Sequence, residues 1–222
     1  MTVRPWIVAL ALAGCHPVAR PGLPLHPLAA GARWTYDVTI DRALPSEVHA
    51  PSPVDLPVAH HAGVVTWSIA AVRRVGRAWV ADLVTEREPP DLPARPVARL
   101  VQLDGRMFAL ADDRPAEPLI AGGGRGAGLA EVLRDPPEAH PTWGADAPSR
   151  PGYGWRLVGR VAWGAHRRCA RVAYLRGPDH TEATYCPGVG LVEWEYVHHG
   201  TVDHERWVLR RFDAPCLHTR PV

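Results

Sequence analysis

Four cysteine thiols are the side chains best suited to covalent chemistry in this chain of 222 residues: Cys15, Cys169, Cys186 and Cys216. No two of them have the C-x-x-C spacing, so the sequence favours neither a zinc knuckle nor a thioredoxin-type redox motif. Cys15 differs from the others because it directly follows a short apolar run and two small residues. We therefore expect the thiol of Cys15 to undergo different chemistry from the other three thiols.

The N-terminal segment is typical of a secretory signal. Arg4 supplies a positive charge, and residues 6–13 form an apolar run that is too short for a permanent membrane span. The run ends in a motif that resembles the bacterial lipobox, Leu12-Ala13-Gly14-Cys15. An ordinary signal peptide with a cysteine nearby by chance is the alternative.

The lipobox resemblance implies a processing route. A signal peptidase would recognise Leu12, Ala13 and Gly14 and cleave before Cys15, whose thiol and new amino terminus would carry acyl chains such as palmitate. Two or more chains anchor a protein stably, whereas one binds only marginally. His16 follows the cysteine. The absence of Asp at that position favours the outer membrane facing the periplasm, with the inner membrane and the cell surface as alternatives.

The amino-acid composition limits the classes of protein to which the chain can belong. Its 25 basic residues are all Arg and face 23 acids, a balance that argues against a dedicated nucleic-acid binder. A GC-rich genome explains the missing Lys, although Arg also grips carboxylates and phosphates. A hydrophobic content of 46% excludes a disordered chain.

We expect a signal peptide at 1–14, a lipidated tether at 15–31, a folded domain at 32–214 and a tail at 215–222.

Aromatic and β-branched runs between turn residues predict a mainly β fold, a single antiparallel curved sheet or half-barrel meander of about nine strands with one short helix. Asp104-Gly105 is the strongest hairpin signal. The helix is expected at 129–134, after Gly-rich residues 122–128 that are expected to form a surface loop rather than a phosphate cradle. The predicted strand segments are 34–40, 64–75, 77–87, 97–103, 106–110, 155–163, 167–175, 180–186, 189–198 and 202–212.

One predicted hairpin brings two cysteines together. A four-residue loop at 176–179 places Leu175 opposite His180, and counting outward places Cys169 opposite Cys186. Opposed residues are close enough for a disulfide, and export would expose them to an oxidising compartment. We expect the bond on the more polar side of the hairpin. Free thiols, or a bond to Cys216, are the alternatives.

Two further hairpins have registers that a structure can check. A turn about residues 75–76 places Val72 opposite Trp79. A turn at 199–200 predicts two cross-strand pairs, Glu193 with Arg206 and Glu195 with His204. A loop at 200–201 instead would keep the same faces and change the partners.

Candidate catalytic and metal-binding residues are weak in this sequence. His198, His199 and His204 lie near one hairpin tip, but adjacent strand residues point to opposite faces. We therefore expect no metal site and no cofactor, with these histidines as the weak candidates. No Ser lies in a G-x-S-x-G elbow. We expect no catalysis, and the alternative is an envelope hydrolase with a site in the 111–153 loop region.

Two short patterns resemble a loose group of mostly-β bacterial lipoproteins. The first is PL-x-x-G-x-x-W-x-Y, and the second is Y-x-P-G-V-G-L-V at the entry to a closing hairpin; here they correspond to Pro27, Leu28, Gly31, Trp34, Tyr36 and residues 185–192. In architecture the predicted meander is also similar to the half-barrels that carry lipoproteins to the outer membrane. The resemblance implies a lipid-anchored envelope protein that binds a partner protein or a lipid.

Overall fold

The computed structural model describes residues 25–43, 58–111, 114–125, 130–140, 142–144, 154–176, 179–198 and 203–215. The predicted signal peptide, Cys15, His199 and Cys216 lie outside these ranges. Within them, no helix has the length and apolar composition that crossing a bilayer requires.

One antiparallel sheet of eleven strands dominates the described residues, which confirms the predicted mainly β class. Each predicted strand segment is a strand, and β6 is additional. The elements are β1 Arg33–Ala43, β2 Val58–Val75, β3 Ala78–Glu88, β4 Arg99–Leu103, β5 Arg106–Leu110, α1 Ala116–Ala121, β6 Glu131–Arg134, a 3₁₀ turn Pro137–Ala139, β7 Gly154–Trp163, β8 His166–Arg176, β9 Asp179–Cys186, β10 Gly190–His198 and β11 Asp203–Asp213.

The sheet consists of two meanders joined by β1. Strands β2 to β6 follow one another on one side of β1, and strands β11 back to β7 follow on the other. β1 pairs with β2 through Trp34 opposite Trp67, and with β11 through Val38 opposite Trp207. The sheet is nearly barrel-shaped. β6 and β7 are its two edges, and a bridge between Trp143 and Trp155 attaches the segment after β6 to β7.

The predicted helix at 129–134 is wrong, because most of that segment is strand β6, which pairs with β5. The helix lies earlier, at α1, and the Gly-rich residues end it rather than precede it. The Gly124 N–H donates to the Leu119 carbonyl at 2.8 Å. Gly124 has a φ of +76°, and a Cβ there would lie 2.5 Å from the Arg106 guanidinium, so a side chain does not fit.

The structure corrects two predicted registers. In the β2–β3 hairpin the turn lies at 76–77, so Val75 opposes Ala78 and Val72 opposes Ala81 and not Trp79. A bulge between Ile69 and Ala71 shifts the pairing again farther from the turn. In the β10–β11 hairpin the alternative register is the observed one. Two ion pairs expected there still form diagonally, Arg206 with Glu193 at 2.8 Å and His204 with Glu195 at 2.9 Å.

The core lies on the concave face of the sheet. Every second residue of β1 from Trp34 to Ile40 is buried there. Two of these side chains also hydrogen-bond across the interior: the Trp34 indole N–H donates to the Val189 carbonyl at 2.6 Å, and the Tyr36 hydroxyl donates to the Leu191 carbonyl at 3.1 Å. A smaller apolar cluster, which includes Phe108 and Ala116 of α1, forms a second core with β3 to β5.

The predicted disulfide between Cys169 and Cys186 is confirmed, and Leu175 opposes His180 as expected. Strand alternation places both cysteines on the face of Arg171 and Thr184, as predicted, but the expectation that the bond lies outside the core is wrong. Both cysteines are fully buried and belong to the main core. The reason is the neighbouring strand β7, because its Val161 is the register partner of Cys169 and packs against that core.

We predict that replacing both cysteines in the variant Cys169→Ala/Cys186→Ala lowers the free energy of unfolding by about 2–4 kcal/mol, because the bond closes a loop of 17 residues. Urea unfolding without reductant measures the loss. Cys216→Ala is the control and should change little. A disulfide map that finds Cys216 bonded to Cys169 or Cys186 would contradict the assignment.

Candidate functional site

The concave face of the sheet contains a cavity with a mostly apolar wall. The wall is built from both meanders, because β2, β4, β5 and β6 supply one side and β7, β9, β10 and β11 the other. Aromatic side chains make up much of it. The lining residues are His26, Trp67, Arg95, Val97, Leu100, Met107, Ala109, Val132, Trp155, Tyr185, Leu191, Trp194 and Trp207.

The cavity is narrow. The space open to the centres of water-sized molecules is about 50 Å³. One water needs roughly 10–15 Å³ of such space, so the cavity has room for only a few waters. Apolar cavities of this kind stay dry and bind apolar molecules. A space of this size accepts a few methylenes of a slender alkyl chain better than it accepts a bulky ring system.

Three tryptophans pack together at the cavity wall. The ring centres of Trp67 and Trp207 are 5.2 Å apart, and those of Trp194 and Trp207 are 6.1 Å apart. The Trp207 indole N–H donates to the Glu205 carboxylate at 2.7 Å. These contacts fix the rings at interaction distances typical of aromatic pairs, so the wall has a defined shape.

Two other indole N–H groups in the wall have no partner. The Nε1 atoms of Trp67 and Trp155 are buried and make no hydrogen bond to any residue that the structure describes. Buried polar groups are normally hydrogen-bonded, because leaving one unpaired costs about 1–3 kcal/mol. The cavity wall therefore offers hydrogen-bond donors that the protein itself does not use.

His26 lies at the wall on a segment that the sequence assigned to the tether. Leu25 and His26 are buried, and the Leu25 N–H donates to the Asp135 carboxylate at 2.9 Å. The imidazole packs on Trp34 with ring centres 5.2 Å apart. Gly190 makes room for it, because a Cβ there would lie 3.0 Å from the imidazole. Burial lowers the pKa of His26 to about 4, although a backbone hydrogen bond at Pro27 opposes the shift.

A buried carboxylate fixes the loop that carries Arg95. Glu205 is almost fully buried and pairs with the Arg42 guanidinium at 2.7 Å. Its other oxygen accepts the backbone N–H of Arg95 at 3.2 Å. The Arg95 side chain is exposed and lines the cavity, whereas Leu92, Ala94 and Val97 of the same loop are buried.

The weak metal candidates are placed apart by the structure. His198 hydrogen-bonds to Asp179, and His204 bonds to Glu195. In the β10–β11 register, His204 opposes Val197, so it lies on the other face of the sheet from His198. Across the described ranges, no three His, Cys, Asp or Glu side chains form a group that could hold a metal ion.

Among the residues of the 111–153 region that the structure describes, one carboxylate is buried, that of Glu131. It binds Arg106 at 2.5 Å and Arg134 at 2.6 Å. Burial by itself raises the pKa of Glu131, but the hydrogen bonds from the two guanidinium groups outweigh that effect and lower it. A carboxylate held in its ionised form by two cations is suited to bracing β5 against β6. It is not suited to donating a proton as a general acid.

Sequence reasoning missed the cavity residues. The signal that could have indicated them is alternation on strands, since Trp194 of β10 and Trp207 of β11 share one face. No such signal indicates that His26 and Arg95 line the cavity, because both lie in segments without a regular alternation of apolar and polar residues. Trp67 and Trp155 are brought together only by the curvature of the whole sheet.

No protein-family model matches the chain, and no curated protein matches it. Two solved structures resemble it distantly. A candidate lipoprotein from Parabacteroides distasonis ATCC 8503 is 12% identical with a TM-score of 0.44, over 86% of this chain and 99% of that one. A candidate exported protein with a YmcC-like fold from Bacteroides fragilis NCTC 9343 is 12% identical with a TM-score of 0.43, over 86% and 100%. Both TM-scores are below 0.5, so the function proposed below rests on this chain's own residues.

We predict that His26 makes the fold sensitive to acid. Its pKa is lower in the folded state, about 4, than in the unfolded state, about 6.5. The contribution of neutral His26 to the free energy of unfolding is therefore complete above pH 6.5. Up to about 3 kcal/mol of it is lost as the pH falls towards 4. Urea unfolding across this range should show a shallower pH dependence for His26→Phe than for the original protein.

His61→Gln is the control for this comparison, because His61 is exposed and lies away from the cavity. If His26→Phe loses as much stability as the original protein between pH 6.5 and 4, a different group is responsible for the acid sensitivity.

Proposed function

We propose that this protein is a non-catalytic, lipid-anchored protein of the bacterial cell envelope, and that it binds the acyl chain of a lipid in the cavity on its concave face. The observation that carries the proposal is a narrow, tryptophan-lined cavity whose wall combines both halves of the sheet. Burying alkyl groups there is favourable by roughly 0.8 kcal/mol for each methylene removed from water.

The anchor part of the proposal rests on the sequence Leu12-Ala13-Gly14-Cys15. Cys15 precedes Leu25, the first described residue, by ten residues. An extended chain of that length spans at most about 35 Å. Acyl chains on Cys15 would therefore keep the cavity close to a bilayer, and we assign the protein to the periplasmic side of the outer membrane.

A lipid ligand is favoured over a partner protein by the surface of the sheet. Large hydrophobic side chains that are strongly exposed among the described residues are Trp79, Val84 and Val158. They are scattered over three positions, and such single exposed residues are ordinary for a soluble surface. The concentrated apolar surface lies inside the cavity, where it is too narrow for a folded partner.

The absence of catalysis is part of the same proposal. The cavity wall contains no carboxylate, and its one imidazole, His26, is paired with no acid or nucleophile within the described part of the chain. General acid–base and nucleophilic mechanisms need two such groups within hydrogen-bond reach. The wall is suited to holding a ligand in place.

We predict that Cys15→Ala moves the protein from the membrane fraction to the soluble fraction, because the acylated thiol is lost. Cell fractionation and mass spectrometry of the intact protein measure the change. Cys216→Ala is the matched control and should stay in the membrane fraction. Unchanged membrane partition and unchanged mass in Cys15→Ala would show that Cys15 carries no lipid.

We also predict that Ala109→Phe weakens binding of dodecanoate at least tenfold, because the larger side chain fills the cavity that Ala109 lines. Isothermal titration calorimetry on the full chain carrying Cys15→Ala measures the affinity, and binding should show a negative heat-capacity change. Val158→Phe adds the same ring at an exposed position and should bind as the parent does. Equal affinity in both variants would place the ligand elsewhere.

A further inference from the structure

We propose that the cavity selects lipids with an anionic headgroup, carboxylate or phosphate, and that the Arg95 guanidinium at the cavity mouth binds that headgroup. The inference rests on the lipid-binding function proposed above and deepens it. The inference concerns which lipid is bound. An experiment can therefore contradict headgroup selection without contradicting lipid binding.

Among the described residues, Arg95 is the only charged side chain that lines the cavity. It has no ion pair with any acid among the described residues, whereas Arg42 pairs with Glu205. An exposed guanidinium at the edge of an apolar wall keeps its charge in water and covers apolar surface with its stem. It is therefore positioned to meet the polar end of a molecule whose tail lies inside.

The nearest buried acid does not neutralise Arg95. Glu205 accepts only the backbone N–H of Arg95, whereas its side-chain ion pair is with Arg42 at 2.7 Å. The same carboxylate also accepts the Trp207 indole N–H. The charge of Glu205 is thus balanced by Arg42, and its contact with Arg95 fixes the loop backbone while leaving the guanidinium available.

The Arg95 charge acts on the cavity itself. Burial raises the pKa of the Tyr185 hydroxyl, and the charge of Arg95 partly opposes that shift. Tyr185 lines the cavity and is almost fully buried. The guanidinium is therefore near enough to interact with a group in the wall, and a headgroup beside Tyr185 would feel the same charge.

Two of the three other unpaired polar groups of the wall are also donors, and the third is the Nδ1 atom of the His26 ring. Trp67 and Trp155 present indole N–H groups, and an indole can only donate. A guanidinium likewise donates and does not accept. A wall with a cation, two free donors and no carboxylate complements a headgroup rich in acceptor oxygens. An ammonium headgroup would meet a like charge and no acceptor of opposite charge.

A headgroup comparison tests the inference on the full chain carrying Cys15→Ala, so that the protein's own acyl chains cannot compete. Four twelve-carbon ligands are titrated at pH 8 and low salt: dodecanoate, dodecyl phosphate, monododecanoylglycerol and dodecyltrimethylammonium. We expect at least one of the two anions to bind about tenfold or more tightly than the neutral and cationic ligands, as charge-assisted hydrogen bonds predict. The tighter of the two anions identifies the headgroup as carboxylate or phosphate.

Arg95→Gln should remove the preference for anions by weakening their binding about tenfold, to the level of the neutral ligand, because the guanidinium is lost while the Arg95 backbone N–H that Glu205 accepts is retained. Arg77→Gln is the matched control, since Arg77 is exposed at the β2–β3 turn and should keep the preference. The preference should also shrink as salt is added.

Two results would overturn the inference in different ways. Equal binding of anionic and neutral ligands, or a preference that survives in Arg95→Gln, refutes headgroup selection by Arg95 and leaves lipid binding intact. Failure of all four ligands to bind protein that circular dichroism shows to be folded refutes the lipid-binding function as well.

Discussion

The pairing of β1 with β11 is the constraint on which the rest of the structure depends. It joins residues near the start of the folded region to residues near its end, and it converts two hairpin meanders into one sheet of eleven strands. β1 then presents Trp34 and Tyr36 to the interior, where both hydrogen-bond to carbonyls beside β10. These bonds hold the sheet in its curved form, because they connect strands that are not neighbours. Without the curvature the two halves of the cavity wall would not face each other.

The cavity follows from how that curved interior is filled. Large rings occupy most of the concave face, and rings that meet at tilted angles leave narrow gaps between them. Two indole N–H groups in the wall have no acceptor, and the exposed side chain of Arg95 lines the cavity on a backbone fixed by Glu205. An interior with these properties suits the ligand that we propose, an acyl chain with an acidic headgroup. An N-terminal lipid anchor would hold that interior beside the membrane that supplies such molecules.

Local patterns in the sequence predicted much of the sheet, and long-range packing decided the rest. The Asp104-Gly105 hairpin was predictable because both residues adopt positive φ in a two-residue turn, at 49° and 74°. The Cys169–Cys186 bond followed from counting along one hairpin. The β2–β3 register did not follow, because the turn lies at 76–77, one residue later than predicted, and a bulge between Ile69 and Ala71 shifts the pairing again. β6 was mistaken for a helix because its strand state comes from pairing with the edge of β5. The cavity was not predictable, since Trp67 and Trp155 come to line one cavity only once β1 has paired with both of its neighbours.

Quenching of tryptophan fluorescence by a bromine-labelled fatty acid tests the central claim most directly, because bromine quenches only at short range and four of the nine tryptophans line the cavity. Bromine in the half of the acyl chain farther from the headgroup should quench the tryptophan fluorescence, and the quenching should saturate at one lipid per protein. Unlabelled lipid of the same length should reverse the quenching, because it competes for the cavity. Quenching that rises without saturation, or that unlabelled lipid does not reverse, would contradict the account, because the acyl chain would then lie outside the cavity.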